Sequence, residues 1–196
     1  MKPRAELAVK PRAELKIAPT FEGYLPSRHW LMKSEPDVFS FRDLMARGPA
    51  GESWDGVRNY TARNFMRDSM EVGDWVLFYH SSTEPPGIAG LARVVGAPAG
   101  DWSALDPKSE FFDPKATAAD PRWVCVTVAA HAPFERYVSL ETLRTAPQLA
   151  GMLVLRPGQR LSIQPVLPSE FDAVCRLGNP SEQGREAGKP PILEKP

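Results

Sequence analysis

The sequence predicts an α+β domain, a small mixed β-barrel flanked by short helices. Three observations point there. Apolar runs are short and suit strands, brief helices are announced by capping residues, and the two alternate without the strand–helix–strand rhythm that builds a doubly wound parallel sheet.

The elements follow in order. His29-Trp30-Leu31-Met32-Lys33 reads as a core strand stopped by Ser34-Glu35-Pro36. Ser40 offers a cap to a short helix from Phe41 through Ala46, with Asp43 completing a capping-box variant. Trp54-Asp55-Gly56 has the chemistry of a tight turn, and Asn59 caps a helix from Tyr60 to about Ser69 that gathers Ala62, Phe65, Met66 and Met70 on one face. A hairpin follows, with Trp75–His80 and Ile88–Val95 separated by Pro85-Pro86-Gly87. Residues 96–122, rich in Pro, Asp, Gly and Ala, read as a long surface connection of the kind that often carries function. Trp123–Ala130 reads as a strand, Ser139–Leu143 as the start of a helix, and Leu161–Val166 as a strand. Ser169 is read as the cap of a last helix reaching about Leu177.

Composition bounds the function. Hydrophobic residues at 42% and charged residues at 24% fit a compact globular protein, and with 196 residues there is room for one domain plus tails. No apolar run spans a bilayer and no secretory signal opens the chain, which leads us to expect a cytoplasmic monomer that does not engage membranes. Residues 1–26 hold a doubled unit, Lys2-Pro3-Arg4-Ala5-Glu6-Leu7 and Lys10-Pro11-Arg12-Ala13-Glu14-Leu15, expected as a disordered arm and linker. Residues 27–178 are the domain, and 179–196 a disordered tail. Cys125 and Cys175 lack metal-ligand spacing and are expected as buried reduced thiols. Twenty-four basic residues balance 24 acidic ones, so binding to a polyanion has to come from a local patch and a shaped pocket.

No phosphate-binding loop, HExxH or GxSxG signature is present, and neither metal nor cofactor is expected. A nucleophilic couple of His80 with Ser81 or Ser82 lacks an evident orienting carboxylate, so no catalytic residue is assigned. The aromatic set is more telling. Trp30, Trp54, Tyr60, Trp75, Phe78 and Tyr79 lie near strand ends and turns, interleaved with Lys33, Arg58, Arg63 and His80. Flat rings beside cations and amides suit one unstacked base, though the same rings also suit core packing, Trp75 and Phe78 above all. Arg58 and Arg63 flank the opening of a helix where a phosphate or plain solvent fits equally well, while Arg156, Arg160 and Gln164 line either a groove or a barrel exterior.

Five stretches, taken together and in order, resemble the EVE domain family over about residues 28–177. They are His29–Pro36, Trp54-Asp55-Gly56-Val57-Arg58-Asn59-Tyr60-Thr61-Ala62-Arg63-Asn64, Phe78-Tyr79-His80-Ser81, Pro86-Gly87-Ile88-Ala89-Gly90 and Arg160–Pro165. The resemblance implies a PUA-like mixed β pseudo-barrel, akin in shape to YTH and ASCH domains. It also implies a module that takes a flipped, modified cytosine of DNA into an aromatic pocket without chemistry. Carried over, the pocket comprises Trp30, Lys33 and Ser34; Trp54, Gly56, Val57, Arg58 and Asn59; Tyr79, His80 and Ser81; and Gly87, Ile88 and Gly90 for close approach, with Arg63 and Arg160 as nucleic-acid contacts. The alternatives are an RNA-binding PUA-like module and a nucleotide-processing enzyme of ASCH type. The base-binding expectation requires Trp30, Lys33, Ser34, Trp54 and Tyr79 to share one hollow.

Overall fold

The computed structural model describes residues 28–180; the doubled unit and most of the expected tail lie outside them. Among these residues, six strands form one mixed sheet: β1 (His29–Ser34), β2 (Glu52–Ser53), β3 (Trp75–His80), β4 (Gly87–Gly100), β5 (Val124–Ser139) and β6 (Ile163–Pro165), in the order β2-β5-β4-β3-β1-β6. Only β1 and β3 run parallel, placing Ser34 beside His80 at the same end of the sheet. Four short α-helices decorate it: α1 (Phe41–Ala46), α2 (Tyr60–Asn64), α3 (Leu140–Thr145) and α4 (Pro168–Gly178).

The long strands β4 and β5 slip register at four places, and such irregularities bend a sheet. The sheet accordingly curls around a core that takes Trp30 and Met32 from β1, Val76 and Phe78 from β3, Ala92 and Val94 from β4, Val124, Val126 and Val128 from β5, and Ile163 from β6. Its other face carries Leu31, Leu77, Ile88 and Val138, covered by Leu143 of α3 and Phe171 and Val174 of α4. Opposite faces served by alternate residues are the period-2 pleat at work. The result is the expected α+β pseudo-barrel.

Local expectations hold in several places. Ser40 and Asp43 exchange hydrogen bonds in a capping box, and the Asn59 side chain accepts from Thr61 and Ala62 N–H. Others need correction. α2 stops at Asn64 and continues as one π-helical stretch, Phe65–Ser69. Ser169 lies inside α4 and does not cap it; Pro168 occupies the first turn, where its missing N–H costs nothing, and the Glu170 carboxylate accepts the Leu167 N–H. β4 and β5 run longer than expected because the sheet partner satisfies Gly, Ala and Pro positions that local propensity disfavours. Cys125 is buried, as expected, whereas Cys175 is only partly buried, and neither forms a disulfide.

Buried polar groups tie the base of the barrel. Asp74 accepts from the Trp30 indole N–H at 2.9 Å and from the Glu71 N–H at 2.9 Å, and it pairs with Arg28 at 2.8 Å. Removing an acceptor from a buried donor costs the donor's desolvation. Asp74→Ala is therefore expected to lower unfolding free energy by about 1–3 kcal/mol in urea titration, and an unchanged midpoint would contradict this role.

Candidate nucleic-acid interface

Two groups of side chains meet at the turn Trp54–Asn59. The first surrounds Phe78 at the end of the parallel pair. Trp54 and Phe41 meet the Phe78 ring edge-on at 5.4 and 5.3 Å, Phe39 lies at 6.5 Å, and the His80 imidazole at 5.6 Å. Ser34 and His80 sit half-buried on this side; Ser34 Oγ donates to the Phe39 carbonyl at 2.7 Å, and the Phe41 N–H donates to His80 Nε2 at 3.1 Å. An imidazole nitrogen that accepts an amide is unprotonated, and burial lowers the His80 pKa in the same sense.

The second group is an arginine–aromatic stack. Arg58 lies over Phe111 and Trp123, Tyr60 stacks on Trp123 at 4.9 Å, and Arg63 lies over Tyr60 and Trp123. Arg122 donates to the Tyr60 hydroxyl. Cations over ring faces stabilise such stacks while leaving guanidinium edges free to bond.

Asp101 joins the groups. Its side chain is fully shielded; one oxygen accepts from Arg58 Nη1 at 2.7 Å and from the Gly56 N–H at 3.1 Å, the other from the Ser103 N–H and hydroxyl. Arg58 also donates to the Phe111 carbonyl and to Ser103. Gly56 adopts φ +74° with the Phe111 ring where a Cβ would stand, so no other residue fits there without displacement. Beside it, the half-buried Asp55 carboxyl is pushed above the usual carboxylate range, first by desolvation and then by the Asp101 charge.

The expected pocket is thus divided, and the requirement that Trp30, Lys33, Ser34, Trp54 and Tyr79 share one hollow is not met. Lys33 and Tyr79 stand on the opposite face of β1 and β3 from Ser34 and His80, with the Lys33 ammonium 5.9 Å from the Tyr79 ring centroid. Burial lowers the Lys33 pKa, and its Nζ donates to the Gln159 carbonyl at 3.4 Å, next to exposed Arg160. Trp30 is wholly buried against Phe65 and Asp74, and so is a core residue and no stacking surface. Tyr79, Val57 and Ile88 are likewise core. Gly87 and Gly90 do permit close approach, but of the chain itself: the Val138 carbonyl and Tyr137 ring fill the first, the Phe41 ring and Ala132 carbonyl the second. Asn59 serves as the helix cap. What the turn brings together is Ser34, His80, Trp54, Gly56, Arg58 and, through the stack, Arg63. Ser81 adjoins them, its N–H donating to the Ser34 carbonyl.

Sequence reading missed Asp55, Asp101, Phe111, Trp123 and Arg122 as parts of this arrangement. The one available signal was the long connection 96–122, whose length already suggested function. The Ser–His couple does not assemble: His80 Nε2 is taken by the Phe41 amide, Ser81 Oγ donates to the Ser34 carbonyl, and Ser82 Oγ to Glu35. Among the described residues no group of His, Cys, Asp and Glu is placed to hold a metal, and no helix is long and apolar enough to cross a membrane.

Comparison with known proteins decides the family, since residues 28–177 match the EVE domain. This chain belongs to the EVE domain family. Human thymocyte nuclear protein 1 is 40% identical over 167 residues, covering 77% of this chain and 74% of the human one. A Pseudomonas putida protein of known structure superposes with TM-score 0.72 at 46% identity, covering 76% of this chain and 98% of its own. Human THYN1 protein, solved in complex with 5-methylcytosine-containing DNA, superposes with TM-score 0.71 at 40% identity, covering 76% and 96%.

Two outcomes are expected. Asp101→Ala strands Arg58 and the Gly56 N–H and should destabilise the EVE domain by about 3 kcal/mol in denaturant melts; a loss below about 1 kcal/mol would show that the turn holds without it. Burial is also the leading cause lowering His29, His80 and His131 below the ordinary 6.5. A depressed folded pKa gives stability that is whole above the unfolded value and lost as pH falls through the folded one. Tm should therefore fall between pH 7 and pH 5, about where imidazoles titrate, and a flat profile would contradict it.

Proposed function

We propose that this EVE domain reads DNA by holding one flipped, modified cytosine at the Trp54–Asn59 turn, and performs no chemistry on it. The observation that carries the reading is the human relative solved with 5-methylcytosine-containing DNA, at 40% identity across most of this domain. The local chemistry supports it. Trp54, itself nine-tenths buried in the core around Phe78, supplies the ring, and ring stacking contributes about 1–3 kcal/mol per base. The Asp55 carboxylate is the acceptor for the exocyclic amine of cytosine, the pairing that carboxylates make with that base. Arg63 and Arg122, stacked on Tyr60, take the neighbouring phosphates. A chain with no net charge gains from such a local arrangement what it lacks in overall field.

Magnitudes limit the discrimination. Burying the base methyl contributes about 0.8 kcal/mol, roughly fourfold in affinity, so a larger preference has to come from exclusion of water around the methyl. Oligonucleotides that differ only in plain, 5-methyl- or 5-hydroxymethylcytosine, and the matching RNA, test this in fluorescence titrations. Affinity should favour the methylated DNA by about fourfold or more, and Trp54→Ala should lower it about tenfold or more. Equal affinity for all four would overturn modified-base reading.

Asp55 separates binding from stability. Because its folded pKa is raised, the stability that this carboxyl contributes is full at low pH and lost as pH rises through the folded value. Asp55→Ala should therefore weaken cytosine binding at pH 7 without lowering Tm. A lowered Tm with unchanged affinity would assign Asp55 to the scaffold.

A further inference from the structure

Trp102, Leu105 and Phe112 are large apolar side chains left open to solvent, Trp102 at 58%, and all three lie on the connection that follows β4. This connection is not loose. Trp102 directly follows Asp101, whose carboxylate is bound by Gly56 and Arg58, and it opens a single 3-10 turn, Trp102–Ala104. The Leu105 N–H donates to the Trp102 carbonyl, the Asp113 N–H to the Ala104 carbonyl, and the Phe112 N–H to the Ser109 carbonyl. An exposed indole is thus fixed to the same anchor as the proposed base-holding turn.

The loop's charges point to what it meets. Three of its five acidic side chains turn to local donors, Asp101 to Arg58 and Ser103, Asp106 to the Lys108 amide, and Asp113 to the Trp123 indole and the Lys115 amide, while Glu110 and Asp120 are exposed. The cations beside it, Arg63 and Arg122, are stacked on Tyr60, with Arg122 also 3.5 Å from the Asp113 carboxylate, and Lys108 and Lys115 stand exposed on the loop itself. A loop that carries exposed carboxylates beside an apolar prominence is poorly made to follow phosphates, and its apolar tip is well made to enter a base stack. A base flipped from a duplex leaves a gap, and apolar side chains inserted between base steps relieve the lost stacking.

We propose that Trp102, backed by Leu105 and Phe112, is a wedge that enters double-stranded DNA beside the flipped cytosine and fills the space it vacates. This rests on the base-holding reading above and adds a requirement for the duplex that the turn alone does not impose. The wedge has work only where a stack is to be opened, so its loss should affect duplex binding and spare single strands.

The test compares wild type, Trp102→Ala and Trp102→Phe at one salt concentration, on a duplex with a single 5-methylcytosine and on the same strand unpaired, with thermal melts to verify folding. Trp102→Ala should lose about tenfold or more in affinity for the duplex and change less than about twofold on the single strand, with Trp102→Phe recovering most of the loss. Undiminished duplex binding by Trp102→Ala, or an equal loss on both substrates, would overturn the wedge while leaving the base-holding turn standing. Wild type that binds neither substrate would instead overturn the base-holding reading, and the wedge with it. Self-association of wild type that Trp102→Ala abolishes, with duplex affinity unchanged, would assign the prominence to a second copy of the chain and also overturn the wedge.

Discussion

One shielded carboxylate, that of Asp101, organises the end of this domain where the base-holding turn is proposed. A buried charge is tolerated only when paired and hydrogen-bonded, and Asp101 meets that demand with the Arg58 guanidinium, the Gly56 amide and the Ser103 amide and hydroxyl. In satisfying itself it fixes three things at once. The Trp54–Asn59 turn is held against the sheet, Arg58 is spread across Phe111 and Trp123, and the connection after β4 is fastened at its first residue. Without it, a positive-φ glycine and a long loop would have little to define their relative positions.

The pleat of two neighbouring strands imposes the second constraint. β1 and β3 pair in parallel with Lys33 opposite Tyr79 and Ser34 opposite His80, so consecutive residues of one motif serve different faces. Ser34 and His80 join Trp54 and Phe78; Lys33 and Tyr79 cover the helical side. A motif contiguous in sequence is therefore not a site contiguous in space. Neighbouring residues of one motif thus serve two faces, the Trp54–Phe78 side and the helix-covered side.

Much of the fold was legible because it depends on local signals. The capping box at Ser40, the Asn59 cap and the apolar run Trp75–His80 each carry their structure within a few residues. The extents of β4 and β5 were not, since Pro133 and the glycines of β4 enter strands only through long-range pairing and register slips. For the candidate site, the neighbourhood of Trp54, Gly56 and Arg58 was legible because a turn, a capped helix and an arginine lie together and belong to one stretch of the family resemblance. Trp30 misled, since a strand-end tryptophan reads alike whether its indole N–H seeks a ligand or, as here, Asp74. Asp101, Phe111 and Trp123 were hidden because their partners lie tens of residues away, and nothing local marks an aspartate that will be buried by a distant arginine.

The central claim is that the turn held by Asp101, and not the Lys33–Tyr79 face, receives the base. Chemical-shift mapping of isotope-labelled protein, titrated with a duplex carrying one 5-methylcytosine, tests it directly. The largest shifts should fall at the Trp54 indole N–H and the amides of residues 54–59. Shifts concentrated at Lys33, Tyr79 and Gln159, with the turn unmoved, would contradict it.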